Sequence, residues 1–226
     1  MSLPKIDLPL FELTVPSSGK KVKYRPYNVR EEKILLVAQE SDDLDQTILA
    51  IKQIITNCVY DFNINESPMF DLEYIMLNIR AKSVNNEIQF TIIDNETDET
   101  VTLTLDINDV KLIQNEKHSK KIDLDNGYTL FMKYPTIDKI KDTENYDLVI
   151  DCIDALISND GEKVYKLSEY TKEEIGLFIE ELNPKNIDSI KQFFETMPIL
   201  KVEIPYKTKN GADKTFILEG LSNFFT

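Results

Sequence analysis

The residues of this chain that could do chemistry are one histidine, two cysteines and 40 carboxylates. A hydrolase that uses a serine or cysteine nucleophile needs a base beside it, and histidine is the usual base. His118 lies in the polar run of residues 115–119 (NEKHS), and no G-x-S-x-G motif lies near it. We therefore expect His118 to be exposed to solvent and to have no catalytic role.

The same residue types do not predict a metal site. One histidine and two distant cysteines, Cys58 and Cys152, cannot supply a zinc tetrad. The acidic run that begins at Asp94 fails as a calcium loop, because Glu99 stands where an EF-hand needs glycine and Leu105 where it needs glutamate. Both cysteines lie in apolar patterns, which favours buried thiols over a disulfide.

Phosphate binding and carboxylate catalysis are also not indicated. Residues 16–20 (PSSGK) contain a Gly-Lys pair but lack the first glycine of a phosphate-binding loop, so they predict a turn. Among 40 acids, pairs such as Asp151 with Asp154 are expected by chance, and we expect none of them to have a partner that shifts its protonation. We predict no enzyme, no catalytic residue, no metal and no cofactor.

The composition is that of an ordinary globular chain. Its 226 residues are 42% hydrophobic, which is enough to bury a full core. No apolar run approaches the roughly 20 residues that span a bilayer, and the first residues lack a basic, then apolar, leader. We expect a cytoplasmic protein that needs no membrane.

The first third of the chain predicts a hairpin followed by helices. Residues 9–15 and 21–27 alternate apolar and polar side chains on either side of the turn at 16–20. Asn28 can cap a first helix, and a second helix follows from Leu44. A central helix over residues 70–84 (FDLEYIMLNIRAKSV) has two apolar faces, so we expect it to be packed on both sides.

The middle of the chain predicts antiparallel strands. Residues 87–93 and 99–105 alternate with period two and flank the acidic turn 94–98. Residues 85–110 contain seven acids and no lysine or arginine, so we expect an exposed, strongly negative tip. Residues 120–124 and 128–133 form a second hairpin around Asn126-Gly127.

The last third predicts helices and a closing hairpin. Spacings of three and four indicate helices over residues 137–142, 146–158, 172–182 and 185–197, and the hairpin joins 199–206 to 214–218. The fold class is therefore α+β, with helices from the N- and C-terminal parts packed together. We expect three segments: an N-terminal hairpin and helices (1–84), a mainly β subdomain (85–134), and C-terminal helices with a hairpin (135–226), the first and last in one compact unit.

Charge is distributed unevenly along the chain. Residues 1–30 carry a net charge of +4 and the remainder −18, which together make −14. Such an acidic protein is not expected to bind nucleic acid. The basic hairpin could pair with an acidic partner or a second copy, or its lysines could simply face water.

Four segments, in the same order along the chain, resemble a family of small baseplate proteins from T-even-type contractile-tailed bacteriophages. They are residues 19–27 (GKKVKYRPY), 29–36 (VREEKILL), 70–84 and 218–225 (LEGLSNFF). The resemblance spans nearly the whole chain and includes no catalytic motif. It implies a component of the central baseplate hub, or a factor that helps the hub assemble. Such a protein is present in the host cytoplasm during assembly and then either stays in the tail baseplate of the virion or leaves.

The predicted function is therefore protein–protein contact with other baseplate hub proteins, or with a second copy, and no small-molecule substrate is expected. Candidate contact residues are the hairpin cations and the final aromatic pair: Lys20, Lys21, Lys23, Arg25, Phe224 and Phe225. Core packing is an alternative for the aromatic pair. Two other functions stay open, a phage module that binds a host protein and a carboxylate-dependent hydrolase.

Overall fold

The computed structural model describes residues 7–41, 43–137, 139 and 145–220. They form two compact units. The first unit holds the described residues up to Ile113 together with those from Ile199 onward, and the second unit runs from Gln114 to Pro198. Each unit combines α-helices with antiparallel strands, which confirms the α+β class.

The first unit begins with a hairpin and three helices. Its elements are β1 (Phe11–Thr14), β2 (Lys21–Tyr24), α1 (Val29–Glu40), α2 (Leu44–Cys58), β3 (Val59–Tyr60) and α3 (Met69–Ser83). The strands form an antiparallel sheet in the order β1-β2-β3. The predicted opening hairpin is confirmed, with Gly19 at φ +68°, a conformation that glycine adopts without strain.

Two further sheets complete the first unit. Their strands are β4 (Glu87–Ile93), β5 (Thr100–Asp106), β6 (Lys111–Ile113), β11 (Ile199–Lys207) and β12 (Asp213–Glu219). β4 pairs with β5, while β12, β11 and β6 form a three-stranded sheet in that order. The chain therefore leaves the first unit after β6 and returns to it at β11, so the closing hairpin completes a sheet begun in the middle of the sequence.

The described residues of the second unit form a four-stranded antiparallel sheet and three α-helices. Its elements are β7 (Lys121–Leu124), β8 (Tyr128–Met132), α4 (Asn145–Asp151), β9 (Ile153–Ser158), β10 (Val164–Lys166), α5 (Lys172–Glu180) and α6 (Pro184–Glu195). The strand order is β10-β9-β8-β7. Leu130, Ile153 and Phe193 are among the most buried side chains of its hydrophobic core.

Capping residues fix where several helices start, including the predicted cap Asn28. Asn28 accepts from the Arg30 N–H while the Glu31 carboxylate accepts from the Asn28 N–H, so α1 begins with a capping box. Thr171 with Glu174 starts α5 in the same way. Pro184 takes the first position of α6, where its missing N–H costs nothing.

The central helix α3 is packed on both sides, as predicted. Phe70 and Leu77 from one face are buried, and so are Leu72, Ile75 and Ile79 from the other. The polar residues Asp71 and Glu73 are buried as well, at 0% and 4% exposure. A fully buried carboxylate must be hydrogen bonded, and the partners of Asp71 are described below.

One predicted helix is wrong. Residues 146–158 were expected to be helical throughout, but the helix ends at Asp151 and Ile153–Ser158 form β9. β9 is flanked on both sides by partner strands, with Leu156 opposite Leu130 on β8 and Tyr165 on β10. An apolar, β-branched run satisfies helical spacing and a buried strand equally well, and the two neighbouring strands decide the outcome.

Three expectations about the larger organisation stay predictions. Most of the helix expected at 137–142 lies outside the described residues. The three segments 1–84, 85–134 and 135–226 follow changes of secondary structure along the chain, whereas the compact units divide at 113/114 and 198/199. The expected packing of N-terminal against C-terminal helices concerns residues of both units.

Candidate interaction surfaces

The opening sheet presents its lysines on one face. Lys21 and Lys23 alternate with the buried Val22 and Tyr24, so their side chains point away from the core. Across the sheet, Lys23 lies opposite Glu12 on β1 and Tyr60 on β3. Neither lysine has an ion-pair partner among the described residues, which leaves two free cations on a folded surface.

The tip of this hairpin is fixed to the central helix. The Ser17 N–H donates to Asp71 Oδ1 at 2.9 Å, and the Ser17 hydroxyl donates to Asp71 Oδ2. Lys20 is exposed, but its ammonium donates to the Asp61 carbonyl at 2.6 Å. The turn is therefore held by bonds to distant parts of the chain, and β2, the strand that bears both lysines, starts from this fixed tip.

Arg25 has a structural partner. Its guanidinium donates to Glu31 Oε1 at 2.9 Å and to the Pro26 carbonyl at 2.9 Å. Burial opposes ionisation of Glu31, but the hydrogen bonds from Arg25 and from the Asn28 N–H outweigh it, so the pKa of Glu31 is lowered. The ion pair connects β2 to the start of α1. Phe224 and Phe225, the other candidate contact residues, lie outside the described residues.

A second polar cluster holds the acidic turn between β4 and β5. Asp94 is 2% exposed, and its carboxylate accepts from the Tyr206 hydroxyl at 2.6 Å and from the Lys214 ammonium at 2.9 Å to each oxygen. It also accepts from the N–H groups of Glu96 and Thr97. The hydrogen bonds from Tyr206 and Lys214 hold the pKa of Asp94 well below its usual range.

The tip is less exposed and less negative than expected, because Asp94 is buried and two lysines pair with the turn. Besides Asp94, Lys214 pairs with Glu96 at 2.8 Å, and Lys209 pairs with Glu99 at 3.3 Å. These lysines come from the closing hairpin, more than 100 residues along the chain from the acidic turn. The closing hairpin brings two lysines to the four acids of the tip, so it neutralises the tip only in part. Asp98 in the turn and Glu87 at the other end of β4 have no basic partner in the described chain.

His118 was predicted to be exposed to solvent, and this prediction is wrong. It is half-buried, stacked against Tyr134 at 5.6 Å and tilted against Phe193 at 5.3 Å between ring centroids. Its Nδ1 lies 2.9 Å from the Thr196 hydroxyl and its Nε2 lies 2.9 Å from the Tyr134 hydroxyl. Burial and the nearby Lys120 lower its pKa. Both ring nitrogens are occupied, so the histidine joins the start of β7 to the end of α6.

Both cysteines are free and buried, as predicted. Burial raises the pKa of the Cys58 thiol to about 11 and that of Cys152 to about 12. The reactive form of cysteine is the thiolate, so both thiols are unreactive at neutral pH.

The second unit carries an aromatic groove of about 400 Å³. It is lined by Asn126, Tyr128, Leu156, Tyr165, Leu167, Tyr170, Glu174, Ile175 and Phe178. Its one acidic residue is Glu174, whose Oε2 accepts the Thr171 N–H at the start of α5. Most glycosidases use two carboxylates, and this groove offers one that already caps a helix.

The sequence missed both aspartates that hold the hairpin tips. Asp94 had a local signal, since an aspartate followed three residues later by threonine can accept that N–H and hydroxyl, as it does from Thr97. Its other partners, Tyr206 and Lys214, have no signal near Asp94. Asp71 appeared as one member of a polar seam on α3, with no indication of Ser17.

The described residues contain neither a membrane-spanning helix nor a cluster of metal-ligating side chains. No helix there has the length and apolarity to cross a membrane. In the same part of the chain, no group of three or more histidine, cysteine, aspartate or glutamate side chains is arranged to hold a metal ion.

A protein-family model described as T4 bacteriophage base plate protein matches residues 8–226. Comparisons with curated proteins and with solved structures found no significant match. The family match covers the opening hairpin, the central helix and the closing hairpin, and so includes both clusters that fix the hairpin tips. Because it spans nearly the whole sequence, the chain belongs to the T4 bacteriophage base plate protein family.

Proposed function

We propose that this protein is a non-enzymatic component of the central baseplate hub, or a factor that helps the hub assemble, and that it acts through contacts with other hub proteins. Membership of a baseplate protein family supports a structural baseplate role. The hub assignment is the finer step of the proposal. The observation that supports a contact role is the lysine face of the opening sheet, which is exposed and built on a fixed hairpin.

Three contacts make this face rigid. Ser17 binds Asp71 at the tip, Lys20 binds the Asp61 carbonyl, and Arg25 binds Glu31 at the base of the hairpin. A preordered surface loses less conformational entropy when it binds. Lys21 and Lys23 carry free cations, so an acidic surface is the complementary partner.

The six candidate contact residues have unequal roles in this proposal. Lys21 and Lys23 touch the partner directly. Lys20 and Arg25 hold the hairpin and contribute charge around it, and the pair Phe224 and Phe225 adds an apolar anchor. The contact belongs to assembly in the host cytoplasm, and the protein then stays in the particle or leaves it.

Co-expression with the other baseplate proteins of the same phage, followed by co-purification, tests the proposal. We expect at least one hub protein to co-purify, and the variant Lys21→Glu with Lys23→Glu to lose it. The matched control changes two exposed lysines of the second unit, Lys163→Glu with Lys166→Glu, and should retain the partner. A chain that binds no baseplate protein and is dispensable for plaque formation would contradict the proposal.

Mass spectrometry of purified particles separates the two forms of the proposal. A virion component is present in stoichiometric amounts, whereas a transient assembly factor is absent from mature particles. Binding to a protein from uninfected host cells in place of any phage protein would favour a host-directed module instead.

A further inference from the structure

We infer that the outer edge of β4 is a docking site for a β-strand of a partner protein, and that this partner strand carries lysine or arginine. The inference rests on the proposed function, because it takes the protein to act by protein–protein contact. It adds which edge is used, by which backbone groups, and what charge the partner brings.

The register of the β4–β5 hairpin shows which backbone groups are free. Asp94 N–H donates to the Glu99 carbonyl at one end, and Ile107 N–H donates to the Asn86 carbonyl at the other. Hydrogen-bonded and non-hydrogen-bonded pairs alternate in an antiparallel ladder. The N–H and C=O groups that point away from β5 therefore belong to Glu87, Gln89, Thr91 and Ile93.

These outward groups have no partner within the described chain. β4 is the edge of a two-stranded sheet, and no hydrogen bond from another described residue reaches it. The side chains of the same four residues are exposed, Ile93 to 67%. A row of free, alternating donors and acceptors is what an added strand pairs with.

This edge also lacks the features that normally prevent such pairing. Edge strands are usually short, bulged, or protected by lysine or proline. β4 is seven residues long, its register is regular, and it contains no proline and no basic residue. By contrast, β10 and β6 have three residues each, and β12 carries Lys214.

Charge identifies the partner. Glu87 lies directly opposite Asp106 in the ladder, and like charges in that position repel. Asp106 is already bound by Asn108, whereas Glu87 has no basic partner in the described chain. The hairpin from Asn85 to Val110 supplies no lysine or arginine. A cation on a strand beside β4 would neutralise Glu87, while a second copy of β4 would bring none.

The other strand of the hairpin is less suited to this role. β5 packs against β11, and its outward residues are Thr100, Thr102 and Thr104, followed by the bound Asp106. It offers no free carboxylate. The two edges of one hairpin therefore provide a test site and an internal control of similar length and composition.

A titration of the full chain, labelled with ¹⁵N, tests the inference. The probe is a short synthetic peptide in which every second residue is valine and the residues between are lysine and threonine. The reference peptide has each lysine replaced by glutamate. We expect the lysine peptide to slow hydrogen exchange at the amides of Glu87, Gln89, Thr91 and Ile93, with weaker binding at high salt. No protection at β4, equal protection at β5, or equal binding of the glutamate peptide would overturn it.

Two proline variants give a second measurement. Thr91→Pro removes an outward N–H from β4, and Thr102→Pro does the same on β5; neither touches the bonds between the strands. Loss of main-chain hydrogen bonds to the added strand should weaken peptide binding about tenfold in Thr91→Pro and leave it unchanged in Thr102→Pro. If Thr91→Pro disturbs the fold, Glu87→Gln weakens the charge contact without changing the backbone, and unchanged binding of this variant would overturn the charge argument.

The same exchange measurement separates this inference from the proposed function. A co-purified hub complex with unprotected β4 amides would overturn the docking edge alone. Peptide binding at β4 without any baseplate partner would support the edge and contradict the hub role.

Discussion

The opening hairpin and the middle hairpin of the first unit are each fixed at the tip by a buried aspartate, but the two carboxylates are placed differently. Asp71 belongs to α3 and accepts from Ser17 in the turn of the opening hairpin. Asp94 belongs to the turn of the middle hairpin itself and accepts from Tyr206 and Lys214 on the closing hairpin. A helix fixes the first tip, whereas another hairpin fixes the second.

The difference extends to the strand edges. In the opening sheet, β2 has a neighbour on both sides and the outer strands have only four and two residues. In the middle sheet, both strands have seven residues and one free edge each. A tip that is fixed by hydrogen bonds therefore does not protect the edges of the strands behind it. In our proposals, the opening hairpin contacts a partner through side chains and the middle hairpin through its backbone.

The largest expected loss of stability comes from substitutions in α3, the helix that carries Asp71. Leu77→Asp places a charge at a position that is 2% exposed, and we expect it to cost more than about 4 kcal/mol and unfold the first unit. Ile75→Asp, at a fully buried position, should do the same. Leu36→Asp, at a 52% exposed position of α1, is the control and should fold. Circular dichroism and urea unfolding measure the difference, and normal folding of both core variants would refute the central role of α3.

The next largest loss of stability is expected from a variant that frees the tip of the opening hairpin but leaves the tip of the middle hairpin fixed. Asp71→Ala leaves the Ser17 N–H and hydroxyl without their acceptor, and we expect a loss of about 1–3 kcal/mol. Faster hydrogen exchange should appear in residues 15–20 and not in residues 94–98, because the two turns are fixed independently. Equal loosening of both turns would show that the hairpins behave as one cooperative unit.

A smaller, pH-dependent effect belongs to Asp94. Asp94→Asn keeps the shape of the side chain but loses the charge that Lys214 binds, so the unfolding temperature should fall at neutral pH. The folded pKa of Asp94 is lowered from an unfolded value of about 3.9, so its stabilisation is present above that pH and is lost as the pH falls below it. The gap in unfolding temperature between wild type and Asp94→Asn should therefore shrink below about pH 4. A gap independent of pH would contradict the ion-pair account.

The smallest expected effect is a gain in stability. Glu87→Lys replaces the repulsion with Asp106 by attraction, and we expect it to stabilise the hairpin by about 0.2–1 kcal/mol. The same change places a lysine on the free edge of β4, so the basic peptide should no longer bind. Thermal unfolding measures the gain in stability, and the peptide titration measures the loss of binding. Unaltered peptide binding would argue against docking at this edge.

Much of this fold could be predicted because the signals are local. The caps at Asn28 and Thr171 and the turn at Asn126-Gly127 each depend on a few neighbouring residues. The strand at 153–158 could not be told from a helix, since its apolar pattern fits both and its partner strands decide. The contacts that fix the two hairpin tips could not be predicted, because they join residues far apart in the sequence. Ser17 and Asp71 are 54 residues apart, and Asp94 and Lys214 are 120 apart.

His118 is a second case in which the neighbouring sequence does not predict the environment of a residue. Its neighbours in the sequence are polar, which correctly describes the local segment as a connector. The aromatic wall formed by Tyr134 and Phe193 and the hydroxyl of Thr196 come from later parts of the second unit. A lone polar residue in a polar run is therefore a poor guide to burial when the fold returns to it.

The return of the chain to the first unit has a consequence for biosynthesis. At about 5–20 residues per second, the ribosome makes Lys214 roughly 6–24 seconds after Asp94, and the whole second unit emerges in the interval. During that time the acidic turn has no counter-ion and β6 has no partner strand. The closing hairpin is synthesised after the second unit. A nascent chain interrupted after Pro198 therefore contains the sequence of the second unit, but its first unit still lacks β11 and β12.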